Sequence, residues 1–164
     1  MTDPAPLKIH HFSISAVEPE RVARALAEIL GGRVWAFPAH AGSFMATTGG
    51  PLDVGIEVYP LGVELVQDSA TKQVTFERSA APSRHTATHA AISVPATTAT
   101  IESIAEREGW TAQRVQRGPF DFVEFWVENR VMLELFASDI EKKLRFTPGA
   151  PGGGGAPGGP PGAM

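Results

Sequence analysis

The chain contains no cysteine, so disulfide staples and thiolate metal sites are excluded, and any metal must be held by nitrogen and oxygen donors. It also lacks an excess of basic charge. Fourteen Lys and Arg stand against 18 Asp and Glu, a net charge of −4, and no segment carries a basic cluster, which argues against nucleic-acid binding. No apolar run is long enough to cross a bilayer. The opening MTDPAPLK lacks a cationic region followed by an apolar stretch, so a soluble, cytoplasmic protein is the expectation. The C-terminal PGAPGGGGAPGGPPGAM has almost nothing to bury, and residues 147–164 are expected to form a disordered tail.

What the chain does contain is the same plan twice. HFSISAVEPERVARALAEILGGRV, starting at His11, aligns with HAAISVPATTATIESIAEREGWTA, starting at His89, at a constant offset of 78 residues. His11, Ile14 and Ser15 meet His89, Ile92 and Ser93, and Gly31 meets Gly109. Further on, DVGIEVYP aligns with RVMLELFA at an offset of 77, matching Glu57 with Glu134. Such self-similarity is the mark of an internal duplication.

Each copy has the same local grammar. A first strand of alternating character, about residues 8–16, places Phe12 and Ile14 on one face and His11, Ser13 and Ser15 on the other. A helix follows, with Pro19 suited to its first turn, Val22, Leu26, Ile29 and Leu30 at helical spacing, and Gly31 as a left-handed stop. Its counterpart opens at Thr97-Thr98, buries Ile101, Ile104 and Ala105, and stops at Gly109. Three strands then complete each half: RVWAFP, SFMATT and VGIEVYP, then TAQRVQR, FDFVEFWV and RVMLELF, with Glu128-Asn129-Arg130 as the last tight turn. The expectation is an α+β fold of two βαβββ modules, at 7–66 and 88–140, with a connector at 67–87; the whole stretch from Leu61 to Thr88 has room for a hairpin of VELV and QVTFE.

Parity then sorts the ionisable residues. Ile56 and Val58, like Leu133 and Leu135, alternate with a glutamate, so Glu57 and Glu134 lie opposite the helix-covered face. His11 and His89 share that face, whereas His10 aligns with Thr88 and reads as a polar edge residue. A carboxylate between aliphatic neighbours in a central strand calls for a partner or a cation. Two imidazoles and two carboxylates suit divalent Zn, Ni, Fe, Mn or Co. His40 and His85 read as surface residues with a possible relay role, Trp35, Trp110 and Trp126 as packing, and Arg117 and Arg130 as solvated.

On HFSIS, GIEVYP, THAAIS and RVMLELF, the sequence resembles the vicinal oxygen chelate superfamily, which includes glyoxalase I, fosfomycin-modifying enzymes, extradiol dioxygenases and bleomycin-resistance proteins. The turn Val127-Glu128-Asn129-Arg130 departs from the Asp-Pro-x-Gly common in that group. The resemblance implies that the modules form a curled, cup-shaped mixed sheet with the helices on its outer face. It implies a divalent metal on His11, Glu57, His89 and Glu134, and a small oxygenated substrate chelated to that metal. It also implies lyase or isomerase chemistry, with Glu134 first and Glu57 second as the group that moves a proton, and a homodimer. Within the same fold the alternatives are a metal-free small-molecule-binding or resistance protein and an Fe(II)-dependent dioxygenase.

Overall fold

The computed structural model describes residues 9–49, 54–118 and 120–140; the Gly/Pro-rich tail expected to be disordered lies outside them. The first half runs β1 (His11–Ala16), α1 (Pro19–Leu30), β2 (Arg33–Ala36), β3 (Phe44–Thr47) and β4 (Gly55–Pro60). The stretch between Leu61 and Thr88 carries the hairpin β5 (Val63–Gln67) and β6 (Val74–Arg78). The second half repeats the plan as β7 (Ala90–Ser93), α2 (Thr98–Glu108), β8 (Thr111–Arg117), β9 (Phe120–Val127) and β10 (Val131–Phe136).

Each half folds into a four-stranded mixed sheet of the same order, β1-β4-β3-β2 and β7-β10-β9-β8, while β5 and β6 pair only with each other. First and last strands run parallel in both halves, with Ser13 opposite Glu57 and Ala91 opposite Glu134. Those two pairings occupy the same register position, so the duplication seen in the sequence is a duplication of backbone geometry. Among the described residues, no helix is long and apolar enough to cross a membrane.

The helices form for local reasons and pack for a shared one. Pro19 sits in the first turn of α1, where its missing N–H costs nothing, and Gly31 closes the helix at φ 62°. Thr97 caps α2 by accepting a hydrogen bond from the Thr100 N–H, and Gly109 ends it at φ 71°. Leu26 and Ile29 of α1, Ile56 of β4, Ile101 of α2 and Phe125 of β9 belong to one continuous apolar core, so the two modules share an interior. Above it, Arg21 pairs with Glu108 at 2.6 Å and Arg107 with Glu28 at 2.9 Å, linking α1 to α2.

The tight turn expected at Glu128-Asn129-Arg130 is present, with positive φ at Glu128 (49°) and Asn129 (52°). Neither residue is glycine, and each adopts that backbone at a cost of about 1 kcal/mol. All three side chains make contacts that offset it. Glu128 accepts from the Val17 and Glu18 N–H groups at 2.7 and 2.8 Å, where α1 begins without a side-chain cap of its own. Asn129 Oδ1 accepts from the Thr111 N–H, and its Nδ2 donates to the Gly109 carbonyl. Arg130 donates to the carbonyls of Ser15 and Ser83 and lies 3.7 Å from Glu128. With a side chain only 11% exposed, Arg130 is a clamp and not the solvated arginine expected. One turn of the second module thus holds the strand-to-helix junction of the first. Glu128→Ala is expected to destabilise the fold by about 1–2 kcal/mol in urea unfolding, and Glu128→Gln by less, since an amide oxygen still accepts.

Candidate functional site

Gly55 stands directly across from His11 in the β1–β4 ladder. A side chain there would meet Met45 Sδ at 3.1 Å and His11 Cβ at 3.7 Å, so its absence leaves room for the imidazole beside the next outward residue of β4, Glu57. Glu57 is 6% exposed. Its Oε2 accepts from Ser13 Oγ at 2.7 Å and from Tyr59 Oη at 3.3 Å, and its Oε1 lies 3.5 Å from His11 Nε2. The sequence expectation that this carboxylate needs a partner is met by two hydroxyls and an imidazole.

Beyond Glu57 the same face of β4 is covered. Tyr59 packs among Phe37, His40 and Phe76 at ring separations of 5.9, 6.1 and 5.7 Å, and His40 lies 5.1 Å from Phe76. His40, expected at the surface, is therefore packed on the site, with its Nδ1 3.3 Å from Ser43 Oγ. The β5–β6 hairpin supplies Phe76, and no local pattern around His40 announces a partner more than thirty residues away.

Burial and the Glu57 charge both favour the neutral phenol, and they push the Tyr59 hydroxyl up to about 12. Because Tyr59 is the chain's single tyrosine, the absorbance of phenolate titrates it alone. Its midpoint is expected near 12 in the folded protein and about 10 in denaturant. The folded pKa is the higher of the two, so this contribution to stability is complete below about pH 10 and lost as pH rises toward 12. Glu57→Gln should lower the folded midpoint.

Beside this cluster opens a cavity of about 230 Å³. Ser13, Ser15, Tyr59, Thr86 and Thr88 give it a hydroxyl-rich side, and Ile14, Val63, Leu65 and Val131 an apolar one.

The second module presents a different half. Glu134 faces Glu124 across the β9–β10 ladder, a pairing of like charges that is unfavourable without a cation. Arg117 supplies one: it pairs with Glu124 and lies 3.5 Å from Glu134, with its guanidinium 5.7 Å from the Phe122 ring centroid. His89 is exposed, and its Nδ1 lies 3.1 Å from the Ala87 carbonyl oxygen. Arg117→Ala is expected to lower stability at neutral pH, with much of the loss recovered when Glu124→Gln is added; thermal melts of the two variants test the coupling.

The four residues expected to share a metal are thus brought together only in part. His11 meets Glu57, while Glu134 is engaged by a guanidinium. Among the described residues, no three His, Asp or Glu side chains lie close enough to hold an ion. A four-donor centre does not fit this arrangement of one chain. Trp35, expected in packing, is 53% exposed, with its indole N–H on Thr47 Oγ1 at 3.0 Å.

Paired βαβββ modules, each with its first strand beside its last, are the architecture expected from the internal repeat, and that is the fold of this chain. No family model and no curated protein matches it in sequence. Similar solved structures include a glyoxylase/bleomycin resistance protein/dioxygenase domain from Frankia sp. EAN1pec, at 16% identity over 80% of this chain and 97% of that one, with a TM-score of 0.47. The fosfomycin resistance protein FosX from Mesorhizobium loti is similar at 14% identity over 80% and 91%, TM-score 0.43. Glyoxalase I from Leishmania major is similar at 16% identity over 79% and 86%, TM-score 0.42.

Proposed function

We propose that the chain is an enzyme of the lyase or isomerase type that moves a proton on a small oxygenated substrate, with Glu57 as the group that takes it. The observation that supports this reading is the connected set Ser13–Glu57–His11. Ser13 lines the cavity and donates to Glu57, and His11 connects the same carboxylate to solvent, its side chain being 55% exposed. As a substrate C–H or O–H proton passes to Ser13 Oγ, the serine proton passes to Glu57 Oε2, which becomes the neutral acid while the substrate keeps the electron pair. Return of the proton to a different substrate atom completes an isomerisation, and passage through His11 to solvent leaves the product deprotonated. Tyr59 stays protonated and holds the carboxylate in place. Glu57 is preferred over Glu134 because Glu134 is paired with Arg117.

The test is deuterium incorporation from heavy water into small hydroxy-carbonyl compounds, followed by proton NMR. Wild-type protein is expected to catalyse it, and Glu57→Gln to lose it. Equal wash-in by the two proteins would sink the proposal.

A divalent metal (Zn, Ni, Fe, Mn or Co) on His11, Glu57, His89 and Glu134 is a second reading. It is favoured by the common register of Ser13–Glu57 and Ala91–Glu134. A homodimer joining the first-module pair of one copy to the second-module pair of the other would complete the set. Metal analysis of protein purified without added metal separates the readings. Loss of bound metal in each of the four single alanine variants supports the second, and equal, near-zero metal in all five proteins supports the first.

A further inference from the structure

The proton-transfer reading leaves the substrate's chemistry open, and the hydrogen-bond directions around the cavity narrow it. Ser13 and Tyr59 each carry one hydroxyl proton, and both protons are committed to Glu57 Oε2. What these two oxygens offer to a bound molecule is therefore lone pairs. Thr86 Oγ1 accepts from the Thr88 N–H at 3.0 Å and keeps its own proton, so Ser15, Thr86 and Thr88 can turn their hydroxyls either way, and the fixed polarity of the cavity is that of Ser13 and Tyr59 before the Glu57 carboxylate. Among the described residues, no lysine or arginine lines the cavity. The guanidinium of Arg130 is turned to the Ser15 and Ser83 carbonyls and to Glu128, so its charge is answered elsewhere.

We infer that this cavity takes a small molecule that brings its own hydrogen-bond donors and no negative charge: a hydroxyl- or ammonium-bearing compound, to the exclusion of carboxylates and phosphate esters. An anion would set its lone pairs against those of Ser13 and Tyr59, and its charge against that of Glu57. A hydroxyl or ammonium group satisfies the acceptors, and an ammonium adds attraction to the carboxylate behind them. Val63, Leu65 and Val131 give a short carbon chain an apolar wall. The volume of about 230 Å³ lies below the range of about 300–1,000 Å³ usual for drug-sized ligands, which confines the class to a few carbons. The inference rests on Glu57 being the working carboxylate of this cavity.

Three probes with one three-carbon skeleton and different charge test it: isopropanolamine, propylene glycol and lactate, titrated into the full chain by NMR. Methyl signals of Val63, Leu65 and Val131 and ring signals of Tyr59 locate binding in the cavity. Isopropanolamine is expected to bind tightest, propylene glycol next, and lactate weaker than isopropanolamine by about tenfold or more. Glu57→Gln should bring the three together. Should that variant fail to fold, Ser13→Ala is expected to weaken isopropanolamine and propylene glycol, which bring a donor at both functional carbons, several-fold, and lactate, which brings one, by less. Lactate binding as tightly as isopropanolamine, a preference that survives Glu57→Gln, or no shift at these signals with any probe overturns the inference. None of those results touches the deuterium wash-in that judges Glu57 as the proton carrier, so the two failures are distinguishable.

Discussion

Gly32→Ala is expected to unfold a substantial fraction of the protein, with a loss of about 3 kcal/mol or more. A Cβ built on Gly32 falls 1.6 Å from the Thr47 carbonyl oxygen and 2.7 Å from its carbon, a position no rotamer can relieve because both contacts are backbone. The Gly32 N–H is itself fixed on the Ala27 carbonyl at 2.8 Å. Thr47 is held between Arg33 of β2 and Gly55 of β4, so β3 cannot withdraw without opening ladders on both sides. The internal control is Gly109→Ala. There the added methyl meets nothing within 4 Å, and only the left-handed backbone objects, at about 1 kcal/mol. Urea unfolding of both variants beside wild type checks the contrast; a Gly32→Ala protein no less stable than Gly109→Ala would refute the account.

That pair of glycines also shows where the repeat ends. Gly31 and Gly109 are equivalent caps, but the next residues are Gly32 and Trp110. Trp110 packs edge-on against Phe125 at 5.7 Å, whereas Gly32 allows β3 to approach the end of α1. Period and parity made the elements, the helix stops and the outward glutamates legible, because each depends on residues within one turn or one strand. They could say which face His11, Glu57, His89 and Glu134 occupy. They could not say what covers that face, because the answer lies on remote segments: Phe76 and His40 over Tyr59, and Arg117 on Glu134. The departure at Glu128-Asn129-Arg130 reads locally as an ordinary turn. Its importance appears only in contacts more than a hundred residues away, at Val17 and Glu18.

The two halves have kept one backbone and diverged in electrostatics. In the first, Met45 stands opposite Glu57, the carboxylate is buried, and its partners are neutral hydroxyls and an imidazole that can pass protons. In the second, Glu124 stands opposite Glu134, and the added charge is balanced by Arg117. A guanidinium ordinarily stays protonated at any working pH, so it can fix a carboxylate but not exchange protons with it. Equal sequence positions therefore carry unequal chemical capacity, and the asymmetry points to the first module.

Glu57→Gln is accordingly expected to reduce the rate of proton transfer by about 10²–10⁴, the range typical for removal of a general base, while leaving the fold intact. The amide keeps the shape of the side chain, and its oxygen can still accept from Ser13 and Tyr59. What it loses is the ability to take up a proton. Glu134→Gln should change the rate by less than about threefold, because Glu134 already lies within 3.5 Å of a guanidinium that neutralises it. Deuterium wash-in measured on both variants, with far-ultraviolet circular dichroism to confirm folding, separates the roles. His11→Ala supplies the intermediate case: the base survives but its link to solvent is cut, so exchange with solvent should fall while proton return within the cavity persists. A rate loss at Glu134 equal to that at Glu57 would mean that the carboxylates act as a pair, and would move the assignment to the metal reading.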